Sequence, residues 1–118
     1  MTKENIIKNM TRALKVFAWE IGHYEFIRVP ESNAREPWCD SIDDVYEVKR
    51  PHITVYVQYC DLENRIYIYR PIIRKYDKQC IGYQCSLSVY IGEKIVAEWV
   101  AELCLAISIM ENEARVRG

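Results

Sequence analysis

The chain has 118 residues, of which half are hydrophobic and 28% are charged, and its formal net charge is -1 at pH 7. This composition excludes an intrinsically disordered chain, and the weak net charge argues against a nucleic-acid-binding protein. The length suits a single α+β domain over residues 1–118, built around one hydrophobic core.

The N-terminal part of the chain predicts a helix followed by a strand. Residues 3–21 have the apolar spacing of an amphipathic helix, with Thr2 at its N-cap and Gly22 as its C-terminal stop. The β-branched and aromatic content of residues 23–29 then indicates a short strand, which Pro30 closes.

Residues 30–51 are polar and acidic, and they predict a long loop with one helical turn. The loop carries a group of carboxylates with the hard oxygen atoms that bind metal ions, namely Asp40, Asp43, Asp44 and Glu47. The spacing of these carboxylates lacks the alternation and the glycine of an EF-hand, so we expect a solvated loop and no metal site. Cys39 in the same loop is a candidate nucleophile if His23 or His52 lies beside it.

The middle of the chain predicts an antiparallel sheet. Residues 52–60 alternate as in a half-buried strand, and residues 61–64 form a turn in which Asn64 adopts a left-handed conformation. The chain returns along residues 65–70 towards Pro71, which cannot donate a ladder hydrogen bond. A further uncharged strand follows over residues 80–91, in which Ile81, Tyr83, Cys85, Leu87, Val89 and Ile91 are predicted to share one face.

A long helix is predicted from Glu93 to about Arg115. Both helices are placed on one face of an antiparallel sheet of about four strands. The apolar arc of the last helix is wider than one sheet needs, which predicts a homo-oligomer interface at Val96, Leu105 and Ile109.

The opposite sheet face is predicted to be open, and it is the candidate binding surface. Its tyrosine rings and arginines suit a protein partner or a small nucleotide-like ligand. The residues assigned to it are Tyr56, Gln58, Arg65, Tyr67, Tyr69, Arg70 and Tyr90. Tyr67 and Tyr69 belong to it only if their strand keeps register, since a bulge at Pro71 would place them in the core instead. Cross-strand tyrosine pairs also stabilise a sheet without any further role, which is the competing interpretation.

We therefore expect a small non-enzymatic binding or inhibitor protein that acts through this face and the adjoining acidic loop, as phage-type accessory proteins bind a host protein. Two alternatives remain open: an oligomer that sequesters a small nucleotide or signal molecule, and an enzyme that uses Cys39 with a histidine.

The five cysteines and the absence of an apolar leader predict a cytoplasmic protein with reduced thiols. Cys80 and Cys85 are five residues apart, which in a regular strand places them on opposite faces and disfavours zinc. No cofactor, metal, nucleic acid or membrane is expected as a partner.

Overall fold

The computed structural model describes residues 2–24 and 45–117. These residues form two helices and five strands. In chain order the elements are α1 (Lys3–Phe17), β1 (Glu20–His23), β2 (Val45–Arg50), β3 (Ile53–Cys60), β4 (Arg65–Ile73), β5 (Cys80–Tyr90) and α2 (Val96–Arg117).

The five strands form one antiparallel sheet in the order β1-β2-β3-β4-β5, so each strand pairs with its neighbour in the sequence. The predicted α+β class is confirmed, with five strands rather than about four. The additional strand is β2, whose residues Val45–Arg50 were assigned to the acidic loop. Val45 and Val48 are fully buried, and the intervening charged side chains of Glu47 and Lys49 concealed this pattern in the sequence.

The first helix is shorter than predicted. The Thr2 side chain accepts a hydrogen bond from the backbone N–H of Asn5 at 3.2 Å, which confirms the predicted N-cap. The helix ends at Phe17 because Ala18 already has an extended backbone. Trp19 then donates its backbone N–H to the carbonyl of Lys49, and this bond begins the sheet before Gly22 is reached.

Both helices pack on one sheet face, as predicted. Apolar residues of α1 and α2 meet the same side chains of β2 to β5. The largest fully buried helix side chains in this core are Ile6, Met10, Leu14, Trp99, Leu103 and Ile107. Burial of this apolar surface is the main stabilising contribution to the fold.

The sheet alternates as predicted along β3 but not along β5. Val55, Val57 and Tyr59 of β3 contact the helices, while Tyr56 and Cys60 lie on the other face. In β5 the register shifts by one residue at Ser86, because Ile68 pairs with Leu87 while Tyr69 pairs with Cys85.

This β-bulge reverses the facing of the residues that precede it. Tyr83 and Cys85 therefore lie on the face opposite the helices, and the prediction that they share a face with Leu87 is wrong. Cys80 also packs on the face opposite the helices. A second register shift places it there, because Ile72 pairs with Gly82 and Ile73 pairs with Cys80. The predicted opposite facing of Cys80 and Cys85 is therefore wrong as well.

An ion pair joins the sheet to both helices. Arg50 of β2 donates from Nη2 to a Glu111 carboxylate oxygen of α2 at 2.9 Å, and from Nη1 to the carbonyl of Phe17. Its guanidinium also lies 4.2 Å from the centroid of the Phe17 ring. The second Glu111 oxygen accepts the backbone N–H of His52 at 3.2 Å. These contacts fix the ends of α1, β2 and α2 relative to one another.

Candidate binding face of the sheet

The sheet face opposite the helices carries five tyrosines from four adjacent segments. We refer to Tyr24, Tyr56, Tyr67, Tyr69 and Tyr83 as the tyrosine cluster. They come together because β3 and β4 alternate, because Tyr24 extends β1 by donating its N–H to the carbonyl of Val45, and because the β5 bulge turns Tyr83 to this side.

The rings of the tyrosine cluster contact one another directly. The centroids of Tyr24 and Tyr56 are 4.3 Å apart, and Tyr83 meets Tyr56 edge-on at 5.4 Å. The hydroxyls of Tyr24 and Tyr83 share a hydrogen bond of 2.6 Å. Tyr69 donates its hydroxyl to the side-chain oxygen of Gln58 at 3.3 Å. Such edge-on and offset pairs stabilise a packed aromatic layer.

Burial changes the acidity of two of these phenols. Desolvation is the largest cause that raises the pKa of Tyr56, and the nearby Tyr24 and Glu47 add to it. The pKa of Tyr83 is raised mainly by burial and by its hydrogen bond with Tyr24. Both hydroxyls therefore stay protonated under physiological conditions and act as hydrogen-bonding groups within the layer.

Most of the predicted binding residues on this face are buried. The exposed fraction is 8% for Tyr56 and Tyr67 and 0% for Gln58 and Tyr69. The expectation that Tyr56 and Gln58 face solvent is therefore wrong, although the predicted sheet face is right. Tyr67 and Tyr69, whose facing the sequence left open, lie on the same face and are buried there. Tyr24 and Tyr83 complete the packed layer, although neither residue was predicted to lie on this face.

Arg65 and Tyr90 form the accessible part of the predicted surface. The two residues are directly paired across β4 and β5, and the Arg65 guanidinium lies 5.0 Å from the centroid of the Tyr90 ring. Arg65 also donates to the hydroxyl of Ser88 at 3.4 Å. Tyr90 is 48% exposed, and Arg65 is half-buried. We call these two residues the Arg65–Tyr90 pair.

The Tyr90 ring is held against the backbone of Gly92. A Cβ atom added to Gly92 would lie 2.5 Å from Cε2 of Tyr90, and the backbone there is left-handed with φ +50°. Only glycine adopts this conformation freely and leaves room for the ring. The Tyr90 ring therefore lies between Arg65 and Gly92, with about half of its surface exposed.

Arg70 does not belong to this face. Ile66 and Ile68 of the same strand pack in the helix-side core, so alternation along β4 places Arg70 on the helix side. Its guanidinium donates to the side-chain oxygen of Gln84 at 3.1 Å. The expectation that Arg70 joins the tyrosines is wrong because strand parity separates it from Tyr69.

The predicted oligomer surface on α2 is exposed in part. Leu105 is 60% exposed and Ile109 is 45% exposed, whereas Val96 is half-buried and packs against the helix-side core. Ala97 and Ala101 are also exposed and continue the line of Leu105 and Ile109 at four-residue spacing. We call these four residues the α2 stripe.

The enzyme alternative requires Cys39 beside either His23 or His52, and the described residues include only the two histidines. His23 pairs with Tyr46, whereas His52 follows the turn after Arg50, so the two histidines lie at opposite ends of β2. Cys39, residues 30–44 of the predicted acidic loop and residues 25–29 of the predicted strand lie outside the described residues.

The described residues were also examined for metal-binding groups and for membrane-spanning helices. Within residues 2–24 and 45–117 no group of three or more histidine, cysteine or acidic side chains is placed to hold a metal ion. Neither described helix combines the length and the apolar character that crossing a bilayer requires.

Comparison with known proteins adds no relative. No protein-family model matches the chain, and no curated protein or solved structure matches it significantly.

Proposed function

We propose that this chain is a small non-enzymatic binding protein that recognises a protein partner through the Arg65–Tyr90 pair. By covering the surface of that partner, it inhibits it. The observation that carries the proposal is a half-exposed tyrosine ring fixed between an arginine and the Gly92 backbone. Tyrosine and arginine are enriched among the residues that dominate binding energy, and a fixed orientation lowers the entropic cost of association.

The tyrosine cluster supports this pair from within the sheet. Tyr67 is buried and lies opposite Ser88, which itself accepts a hydrogen bond from Arg65. A packed layer of rings keeps β4 and β5 in register, so the two contact residues meet at a constant spacing. The buried tyrosines thus have a positioning role in this proposal.

Site-specific crosslinking tests the proposal. A photoreactive phenylalanine derivative at Tyr90 is expected to yield one defined adduct in cells of the native host. Tyr76 is the matched control, because it is 80% exposed and its ring also lies beside an arginine, 4.7 Å from Arg74. The proposal is refuted if positions 90 and 76 give the same adducts, or if unlabelled R65A competes as well as the wild-type chain.

We also propose that the protein is a homo-oligomer that associates through the α2 stripe. In an antiparallel pair of α2 helices, Ile109 lies opposite Ala97 of the second copy and Leu105 lies opposite its Ala101. This arrangement packs a large side chain against a small one at each level.

Light scattering tests the association. The wild-type chain is expected to show a mass near twice its 14.0 kDa, and L105E is expected to be a monomer because it places a charge at the centre of the stripe. V16E on α1 is the control, since Val16 is 87% exposed and lies outside the stripe. A monomeric wild-type chain, or an L105E variant of unchanged mass, would overturn this assignment.

A further inference from the structure

A cleft of about 620 Å³ lies on the helix side of the sheet, away from the Arg65–Tyr90 pair. One wall is the C-terminal part of α2, and the other is formed by the start of β3, the later part of β4 and the middle of β5. This volume falls within the range of small-molecule sites in proteins.

The cleft exists because β3 and β4 separate at Pro71. The ladder between the two strands reaches from Cys60 paired with Arg65 to Tyr56 paired with Tyr69, and β4 then continues to Ile73 alongside β5 only. Proline has no backbone N–H to extend the ladder. Pro71 therefore lies just beyond the end of this ladder, on the sheet wall of the cleft.

Three polar side chains, those of Arg70, Gln84 and Ser86, line the sheet wall of this cleft. Arg70 donates to the Gln84 side chain at 3.1 Å, and it takes part in no ion pair within the described part of the chain. Ser86, at the β-bulge, has a buried hydroxyl oxygen with no hydrogen-bond partner among the described residues. A buried hydroxyl without a partner is costly, so a ligand group that accepts its hydrogen bond would stabilise this part of the sheet.

The rest of the lining sets the kind of ligand that fits. Leu87 and Met110 are apolar, and the helix wall carries Glu113 and Arg117. Among the described lining residues, Arg70 and Arg117 carry two positive charges and Glu113 carries one negative charge, which leaves one net positive charge. A ligand with one anionic group and an apolar body therefore suits the cleft better than a cation or a multiply charged anion.

We propose that this cleft binds a small organic anion. Its carboxylate or phosphate group accepts hydrogen bonds from the Arg70 guanidinium and the Ser86 hydroxyl, and its apolar body lies along Leu87 and Met110. The guanidinium presents a planar fork that matches either anion, and the charge makes each of these hydrogen bonds stronger than a neutral one.

Two pairs of probes test the chemistry by calorimetry and by amide chemical shifts. 4-Phenylbutyrate is compared with its neutral amide, and adenosine monophosphate is compared with adenosine. In at least one pair the anion is expected to bind about tenfold tighter than its neutral counterpart, with shifts at Ser86, Leu87 and Met110. The pair that responds tells whether the head group is a carboxylate or a phosphate. Equal or undetectable binding by both members of both pairs overturns the proposal.

Two variants test the assigned residues. R70Q is expected to weaken the responding anion by about tenfold or more, whereas R12Q, which changes an exposed arginine of α1, leaves the affinity unchanged. S86A removes a hydroxyl without a protein partner, so its melting temperature is expected to stay equal or rise while the affinity falls. Equal affinity of R70Q and R12Q, or wild-type affinity of S86A, would show that the anion is not held as proposed.

Discussion

Alkaline pH is expected to destabilise the protein through Tyr56 and Tyr83. Burial raises the pKa of both phenols above their ordinary value of 10.0, whereas the unfolded chain ionises them near that value. The unfolded state therefore loses protons that the folded state keeps. The stabilisation is complete below pH 10 and is lost as the pH rises above it.

The magnitude follows from proton linkage. A tyrosine that is protonated when folded and ionised when unfolded lowers the free energy of unfolding by about 1.4 kcal/mol for each pH unit. Tyr56 and Tyr83 are 8% and 4% exposed, so both contribute. Their sum is about 2.7 kcal/mol per pH unit, which over two units approaches the whole stability of a small domain.

Urea unfolding between about pH 8 and pH 11.5 measures this slope. Y83F removes one of the two phenols and is expected to show a slope smaller than that of the wild type by about 1.4 kcal/mol per pH unit. At pH 8 it is less stable by about 1 kcal/mol, because it loses the hydrogen bond to Tyr24.

The control is Y76F, since Tyr76 is 80% exposed and its substitution leaves the slope unchanged. A Y83F slope equal to that of the wild type would contradict the buried placement. Phenolate absorbance near pH 10 in the intact fold that is missing from Y83F would contradict it equally, because that absorbance would come from Tyr83 itself.

Two further substitutions test contacts that hold the fold and the proposed site in place. E111A is expected to lower the free energy of unfolding by about 2 to 3 kcal/mol, because it leaves the Arg50 side chain, which is only 24% exposed, without its carboxylate partner. E102A, which breaks the more exposed pair with Lys94, is expected to change it by less than about 0.5 kcal/mol, and equal effects in urea unfolding would refute this. G92A is expected to cost about 1 kcal/mol and to shift the ring resonances of Tyr90, because the added Cβ occupies the position of that ring. Unchanged ring resonances would show that glycine is not needed there.

Local signals in the sequence predicted much of the fold. The alternation of residues 53–60 correctly predicted which β3 side chains pack in the helix-side core and which pack with the tyrosine cluster on the other face. Asn64 has φ +53° in the turn after it, as its side chain favours. These features depend on neighbouring residues only, which is why a pattern along the chain suffices to predict them.

The remaining features depend on contacts between distant segments. β2 is a strand because β1 and β3 pair with it on both sides, and its charged residues hid that pairing. The bulge at Ser86 depends on how β5 meets β4, and it moved Tyr83 from the expected core face into the tyrosine cluster. Exposure of the tyrosines was likewise misjudged because one strand does not reveal which rings its neighbours supply.

The two register shifts in β5 have a consequence for the behaviour of the protein at high concentration. Within the described residues β5 is one of the two edge strands of the sheet, and it is longer than the other edge strand, β1, so it offers the longer row of backbone groups to a strand from another molecule. Extra residues at two points interrupt the even spacing that continuous strand addition requires. An incoming segment can match only a few residues before losing register, which hinders growth of the sheet into fibrils.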